Sequence, residues 1–411
     1  QVPPEATLAV TLPYHEELAS PGPSVRVQDG AFELRSSVPV SAYQYNPLHF
    51  QRGADFSYTN DASMLLPEHV LTGDYIVSAW PSWGLGASPA LTFDWVPGFF
   101  TVVATTNSTQ VTITSTAATA SGTPAALTPG EETTITLDRG DVVQVFSHQP
   151  TEPLTNACVS MGGERTTVGD QEYCLSVLDG DLTGTRIAAS APVAVFAGHA
   201  CTFVPYYEWA CDHLEEMMFP LQTWGREVPM SAPTYPGGEA RAPTIVRIIA
   251  STDGTSLSFA PPVQPAQLLD PGAVLQFETD EHFVVTASGP IFVTQTMLGQ
   301  QALGADLGDP AMGSGVPRSQ WRAAYDFLTP PSYTVNHLNV VAASGDRIFL
   351  DGAELLLWEA IGTTDLRVAR VEIEPGGHHI EGVDDARFAI TSYGYASYTS
   401  YLHPGGLNLL R

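Results

Sequence analysis

The segment TVVATTNSTQVTIT, residues 101–114, decides the fold class. It consists of two alternating runs rich in Val, Ile and Thr on either side of a polar Asn-Ser-Thr turn. The same order of strand, turn and strand recurs in IVRIIASTDGTSLSFA (245–260) and LNVVAASGDRIFLDG (338–352). Helical periodicity is almost absent from the rest of the chain, so the sequence predicts an all-β protein in which these three segments are hairpins.

A second recurring element is an apolar strand that opens with Pro or Arg after a short turn. It occurs as SSVPVSAYQY (36–45), ASAPVAVFAG (189–198), ASGPIFVTQT (287–296) and, more weakly, DDARFAITSYGY (384–395). The opening residues are separated by 153, 98 and 97 positions and are Pro39, Pro192, Pro290 and Arg387. Two nearly equal spacings predict a repeated unit of about 98 residues.

We therefore expect three β-sandwich-like modules, arranged in a row or about a pseudo-threefold axis, with N- and C-terminal halves that complete one another. The predicted pieces are a closing half-unit at 1–37, β modules at 38–191, 192–289 and 290–387, and closing strands at 388–411. The first module exceeds the others in length. A disulfide between Cys158 and Cys174 is expected to hold its insertion together.

The charge of the chain limits its partners. All 16 basic residues are Arg, and they face 44 Asp and Glu, which gives a formal net charge of −28. Such a surface repels phosphate backbones and anionic membranes, so we expect neither nucleic acid nor a membrane as a partner. The sequence has no apolar run of 18 residues and predicts no membrane insertion, while the oligomeric state is left open. Four cysteines in two local pairs favour export to the cell surface or the extracellular space.

The stretch GHACTFVPYYEWACDHLEEMMFP, residues 198–220, concentrates the residues that could carry chemistry. Thiolate and imidazole suit zinc, but the spacing C-x₉-C-D-H matches no compact zinc knuckle. We predict instead that Cys201 and Cys211 form a disulfide that pins the loop between them. The alternative is a metal site of oxygen and imidazole ligands, made by His199, Asp212, His213 and Glu216.

Aromatic residues are the candidates for partner contact. Most are expected to fill the core between sheets, but some are predicted at loop tips, where exposed aromatic side chains dominate contacts with proteins and glycans. The predicted binding residues are Tyr206, Tyr207, Trp209, Trp80 and Trp83.

Acidic and amide residues recur at equivalent turns, as Asp61, Asp212 and Asp309 and as Asn107, Asp253 and Asp346. Asn and Asp stabilise turns through their own backbone, so the first interpretation is structural. Ca²⁺ coordination is the functional alternative, and no other cofactor is expected.

The sequence offers little support for catalysis. It lacks the H-E-x-x-H of zinc peptidases, and no G-x-S-x-G lies between a strand and a helix. His378 and His379 stand in a Gly-rich turn, and paired acids such as Glu215 and Glu216 point to opposite faces of a strand. We therefore expect no enzyme.

The segments PVAVFAGHACTFVP (192–205) and CDHLEEMMFPLQTWGREV (211–228), with PIFVTQTM and YDFLTP, resemble the N-terminal domain of the IgGFc-binding family over about residues 38–404. The resemblance implies an exported, disulfide-stabilised β domain that binds protein partners or mucus-like material and has no established chemistry. Because mucin-associated cysteine-rich repeats are absent from the sequence, the chain is similar to a bacterial member. Immunoglobulin binding is not carried over, because the resemblance identifies no residues responsible for it.

The leading hypothesis is thus a secreted or cell-surface adhesion module that recognises a protein or glycoprotein through aromatic, disulfide-pinned loops. A metal-dependent surface hydrolase is one alternative. A self-assembling envelope or matrix protein is the other.

Overall fold

The computed structural model describes residues 8–408 except 14, 20–21, 47–50, 53–54, 58–59, 88–93, 149–163, 169–170, 176–179, 207 and 209–210. The strands in the first half of the described chain are β1 (Val25–Val27), β2 (Tyr43–Asn46), β3 (Gln51–Arg52), β4 (Asp55–Phe56), β5 (Asp61–Met64), β6 (Thr72–Ile76), β7 (Trp83–Ala87), β8 (Asp94–Val96), β9 (Gly98–Ala104), β10 (Thr109–Thr114), β11 (Glu132–Leu137), β12 (Val142–Phe146), β13 (Glu164–Val168), β14 (Gln171–Leu175), β15 (Arg186–Phe203) and β16 (Cys211–Met217).

The strands in the second half are β17 (Gly225–Met230), β18 (Thr244–Ala250), β19 (Thr255–Ala260), β20 (Gln267–Leu269), β21 (Val274–Thr279), β22 (Phe283–Met297), β23 (Met312–Ser314), β24 (Ala324–Thr329), β25 (Val335–Ala343), β26 (Ile348–Leu350), β27 (Ala353–Glu354), β28 (Glu359–Ala360), β29 (Leu366–Ile373), β30 (Gly376–Gly382), β31 (Phe388–Ala396) and β32 (Thr399–Pro404). The described helices are short: α1 (Glu16–Ala19), α2 (Gln300–Leu303) and the 3₁₀ turns η1 (Glu68–Val70), η2 (Leu221–Thr223), η3 (Arg318–Gln320) and η4 (Val383–Asp385). The predicted all-β class is confirmed.

The chain divides into two compact units. Unit N comprises Leu12–Val38 and Leu66–Leu221, and unit C comprises Gln1–Thr11, Pro39–Leu65 and Gln222–Arg411. The module boundaries predicted at 191/192 and 289/290 fall inside the continuous strands β15 and β22. The number of modules, their sandwich form and a pseudo-threefold axis stay predictions.

Unit N is built around the long strand β15. Its main sheet has the order β1-β12-β9-β15-β10-β11, and β6 and β16 also pair with β15. A second sheet has the order β13-β14-β7-β8. Alternation along β10 buries Val111 and Ile113 completely and turns the intervening polar residues outward, which is why this Thr-rich segment forms a strand.

The segment 101–114 is not the hairpin that the sequence predicted. β9 pairs with β15 from Gly98↔His199 to Ala104↔Val193, and β10 continues in the same direction to Thr114↔Arg186. The two strands are consecutive stretches of one path along β15. Between the pair Ala104↔Val193 and the pair Val111↔Ala189, the β9–β10 segment advances by seven residues while β15 advances by four. The extra polar residues therefore form a bulge.

The segment 245–260 of unit C repeats this arrangement along β22. Seven steps from Ala250 to Leu257 face four steps from Ile291 to Ala287. The bulge residue Ser108 has φ 57°, and its counterpart Gly254 also has φ 57°. Each of these two residues donates its N–H to an aspartate, Asp138 Oδ1 or Asp270 Oδ1, over 2.8 Å. The two units therefore share one local design, a strand that bends at a polar bulge.

In unit C the sheet around β22 has the order β20-β19-β22-β18-β21, with β17 and β23 also paired to β22. Two further sheets have the orders β28-β29-β25-β31-β32 and β24-β30-β26-β27. The N-terminal strands β2 and β5 pair with each other, and Ala62, Tyr45, Tyr333, Ala396 and Tyr401 form a common hydrophobic cluster. Residues 43–64 and the C-terminal strands thus belong to one unit, whereas β1 pairs with β12 in unit N.

Candidate functional site

The candidate site is the end of the β15–β16 hairpin in unit N. The two strands pair from Phe196↔Met217 to Phe203↔Cys211, with a bulge between His199 and Thr202. Gly198 permits the pairing, because a Cβ at this position would lie 1.7 Å from the carbonyl oxygen of Leu214. The hairpin therefore brings the two ends of the loop 204–210 together.

A disulfide closes this loop. Cys201 and Cys211 are bonded, with their Cα atoms 5.3 Å apart, so this part of the cysteine prediction is confirmed. Of the second predicted pair, Cys174 is buried in β14, and Cys158 lies outside the described residues. That pairing stays a prediction.

The sequence predicted Trp80 and Trp83 at exposed loop tips, but the structure buries both residues. Trp80 is 0% exposed and Trp83 is 4% exposed. The indole N–H of Trp83 donates to the carbonyl oxygen of Cys201 over 2.5 Å, and its ring lies 4.6 Å from that of Phe203. The two tryptophans pack against the base of the loop, because burying large aromatic rings contributes a large hydrophobic stabilisation.

Tyr206 is the described aromatic residue of the loop itself. Its side chain is half-buried, and its ring meets Trp80 edge-on with 6.4 Å between centroids. Tyr207 and Trp209 lie outside the described residues. The loop thus rests on a buried aromatic base, and one edge of Tyr206 is left to solvent.

His199 lies at the bulge and is 0% exposed. Its Nδ1 accepts the N–H of Cys201 over 3.1 Å, which makes the neutral ring with a proton on Nε2 the favoured form. Burial, reinforced by the nearby His213, lowers the pKa of His199 to about 3. A histidine engaged in this way holds the bulge in place and stays uncharged at neutral pH.

The four candidate metal ligands are divided between the faces of the sheet. His199 pairs with Leu214, so its side chain lies on the same face as those of Asp212 and Glu216, while His213 lies on the opposite face. There His213 stacks on Phe99 with 5.7 Å between ring centroids, and its Nε2 lies 3.6 Å from Glu215 Oε2. Asp212 Oδ1 accepts the N–H of His213 over 2.7 Å. Within the described part of the chain, no group of three His, Cys, Asp or Glu side chains is arranged to hold a metal ion.

The turn residues predicted as Ca²⁺ ligands lie in different surroundings. Asn107 Oδ1 accepts the N–H of Arg139 over 3.0 Å and so ties the bulge of unit N, as the structural interpretation expects. Asp61 and Asp309 are completely buried in unit C, not at surface turns. Asn60, which precedes Asp61, and the distant residues Tyr333 and Ser400 join them, and no sequence pattern indicates these long-range contacts.

A family model described as IgGFc binding protein matches residues 61–394. The chain belongs to the IgGFc-binding protein family. The human IgGFc-binding protein is 24% identical over 201 residues, which cover 47% of this chain and 4% of that relative. The family match includes the whole β15–β16 hairpin and its disulfide loop.

Two solved structures were also compared with this family member. An anti-sigma factor domain-containing protein has 8% identity over 90% of each chain and a TM-score of 0.14. A second such protein, from Clostridium clariflavum, has 8% identity over 89% of this chain and 90% of its own, with a TM-score of 0.12. These scores are too low to support a structural argument. No helix among the described residues is long and apolar enough to span a membrane.

Proposed function

We propose that this chain is an exported binding and adhesion module that recognises a protein or glycoprotein through the disulfide loop 204–210. The observation that carries the proposal is the construction of the loop's base, where a disulfide joins Cys201 to Cys211 and the buried Trp83 donates a hydrogen bond to the carbonyl oxygen of Cys201. Binding energy concentrates in a few aromatic side chains, and a disulfide that joins the ends of a loop reduces the conformational freedom that the loop can lose on binding. Membership of a family named for binding supports the same function.

The proposed partner presents a neutral or basic surface. With a formal net charge of −28, the chain repels sulfated or sialylated glycans at long range and attracts basic protein surfaces. We propose a binding event without catalysis, in which His199, which is completely buried, uses Nδ1 to hold the bulge.

The test is binding of the purified chain to immobilised secreted proteins, with IgG Fc and a desialylated, unsulfated mucin glycoprotein among them, measured by biolayer interferometry. Tyr206→Ala should weaken binding at least about tenfold, as expected for an aromatic contact residue. The matched control is Leu357→Ala, which removes an 87% exposed apolar side chain in unit C and should leave binding unchanged. Equal loss with both variants, or unchanged binding by Tyr206→Ala, would remove the loop from the proposal.

A second candidate function is self-assembly, and exposed apolar residues near the N-terminus favour it. Their exposures are Leu8 66%, Val10 65%, Leu12 50%, Phe32 48%, Leu34 67%, Val38 65% and Val40 58%. Four of these exposed side chains, Leu12, Phe32, Leu34 and Val38, belong to unit N, and exposed apolar residues are candidates for a contact surface. Analytical ultracentrifugation distinguishes the candidates, because assembly that persists in Tyr206→Ala and is lost in Leu34→Ser would favour a structural role.

A further inference from the structure

A group of polar side chains is completely buried in unit C. Asn60, Asp61, Asp309, Thr399 and Ser400 are each 0% exposed, although they come from three separate parts of the chain. Burying polar groups is costly unless each one finds a partner. Such a group therefore needs a physical explanation.

Three hydrogen bonds, together with the chain segments between their ends, link these residues in one circuit. Asp61 Oδ2 accepts the N–H of Met312 over 3.0 Å, and Asn60 Oδ1 accepts the hydroxyl of Thr399. The next residue, Ser400, accepts the N–H of Asp309 at its Oγ over 2.9 Å, and Asp309 leads back along the chain to Met312.

Tyr333 links the circuit from one side. It receives a hydrogen bond from Asn60 Nδ2 over 2.8 Å, and its hydroxyl donates to the carbonyl oxygen of Ser400 over 3.4 Å. Asp61 and Asp309 thus belong to one compact, buried circuit of oxygen-rich groups.

The carboxyl group of Asp309 is the exception within this circuit. Neither of its oxygens has a hydrogen-bond partner among the described residues, although both are buried. Burial raises the pKa of Asp309 well above its ordinary value. Protonation alone would remove the charge, but it would leave one O–H donor and one carbonyl acceptor without partners.

We propose that Asp309, together with Asp61 and Ser400, forms a buried Ca²⁺ site in unit C. Ca²⁺ takes six to eight oxygen ligands and accepts carboxylate, hydroxyl and carbonyl oxygens in flexible geometry. A bound cation would satisfy both carboxylate oxygens of Asp309 at once. The proposed site combines two carboxylates with neutral oxygens, a donor set that Ca²⁺ accepts.

The proposed site would have a structural role in unit C. Its residues lie beside β5, β23 and β32, so a cation there would tie the early segment of unit C to its C-terminal strand. Ion binding that requires the folded state stabilises it by mass action. Removal of the ion should therefore loosen unit C and leave the disulfide loop of unit N unaffected.

The experiment uses the full chain, dialysed first against EDTA and then against chelator-free buffer at about 0.15 M ionic strength, which screens diffuse binding to the acidic surface. Calorimetric titration with CaCl₂ should give one site per chain. The melting temperature should rise by about 5 °C at saturating Ca²⁺. MgCl₂ at the same concentration should give a smaller rise, because Mg²⁺ demands a stricter octahedral geometry.

Asp309→Asn should abolish the rise produced by Ca²⁺. The matched control is Asp306→Asn, which removes the same charge from an exposed position three residues away and should keep the full response. If Asp309→Asn does not fold, the wild-type titration still decides the question. The proposal is overturned if the wild type binds no stoichiometric Ca²⁺, or if Asp309→Asn responds like the wild type.

Discussion

Removing the bridge between Cys201 and Cys211 tests how the loop is held. In Cys201→Ser/Cys211→Ser the sulfur atoms are replaced by smaller, nearly isosteric oxygens, and the strand pairing around them is retained. The bridge closes a loop with a sequence separation of 10 residues. In the chain-entropy treatment, a closed loop of this length lowers the entropy of the unfolded chain enough to stabilise the fold by about 2.7 kcal/mol. We therefore expect the free energy of unfolding of unit N to fall by about that amount.

The assay is urea unfolding followed by tryptophan fluorescence, with wild type and variant compared under non-reducing conditions. Trp83 reports the change locally, since it bonds to the carbonyl oxygen of Cys201. Cys158 and Cys174 are left intact in both proteins, so they serve as an internal control. A loss below about 1 kcal/mol would refute the reasoning, because the aromatic base alone would then hold the loop. A loss well above 5 kcal/mol would also refute it, since it would mean that β15 and β16 had separated.

Three further predictions concern single residues. Gly198→Ala should lower the melting temperature severely, because the new Cβ would clash with the carbonyl oxygen of Leu214. The control Gly238→Ala should change the melting temperature little, because no atom lies within 4 Å of the new Cβ. Differential scanning calorimetry measures both variants. Gly254→Ser should lower the free energy of unfolding in urea by about 1 kcal/mol, because φ is 57° at this position and a residue with a Cβ disfavours that conformation. The new side chain would meet no other atom, so an unchanged free energy would contradict the backbone argument. His199 has a pKa lowered from 6.5 to about 3, so its neutral form stabilises the fold fully above pH 6.5 and loses that contribution as the pH falls towards 3. His199→Gln should therefore flatten the dependence of melting temperature on pH between 7 and 4, and an unchanged slope would count against the burial of a neutral ring.

The strands were predictable from sequence, but their connections were not. Runs rich in Val, Ile and Thr predicted β9, β10, β18 and β19 correctly, because β10 and β19 bury alternate residues and β18 is buried along its whole length. The polar turn in each of the segments 101–114 and 245–260 predicts a reversal of the chain, as in a hairpin. Whether such a turn reverses the chain or bends it depends on the neighbouring strand, and here β15 and β22 continue alongside both halves.

The sequence predicted the local features of the candidate site but not the features that depend on long-range packing. The spacing of Cys201 and Cys211 suffices to predict a local disulfide, since both residues lie in one hairpin. The exposure of Trp80 and Trp83 depends on long-range packing under the loop, which aromatic content alone does not reveal. The pattern of turn acids indicated Asp61 and Asp309, but it did not show that they share a buried circuit with Tyr333 and Ser400, because strands far apart in the chain bring these residues together.

The bulges of the two units explain why a repeat is visible in the sequence at all. Beyond the shared aspartate contact, Thr109 and Thr255 each place Oγ1 2.8 Å from the carbonyl oxygen three residues earlier. Gln110 and Ser256 each donate an N–H over 2.9 Å to a serine, Ser190 or Ser288, that precedes the proline of the long strand. Each of these contacts needs a small hydroxyl or an acid at one fixed position, whereas the core accepts any apolar residue of suitable size. The polar motifs NST and DGT therefore recur at the two bulges because the same backbone contacts require them there.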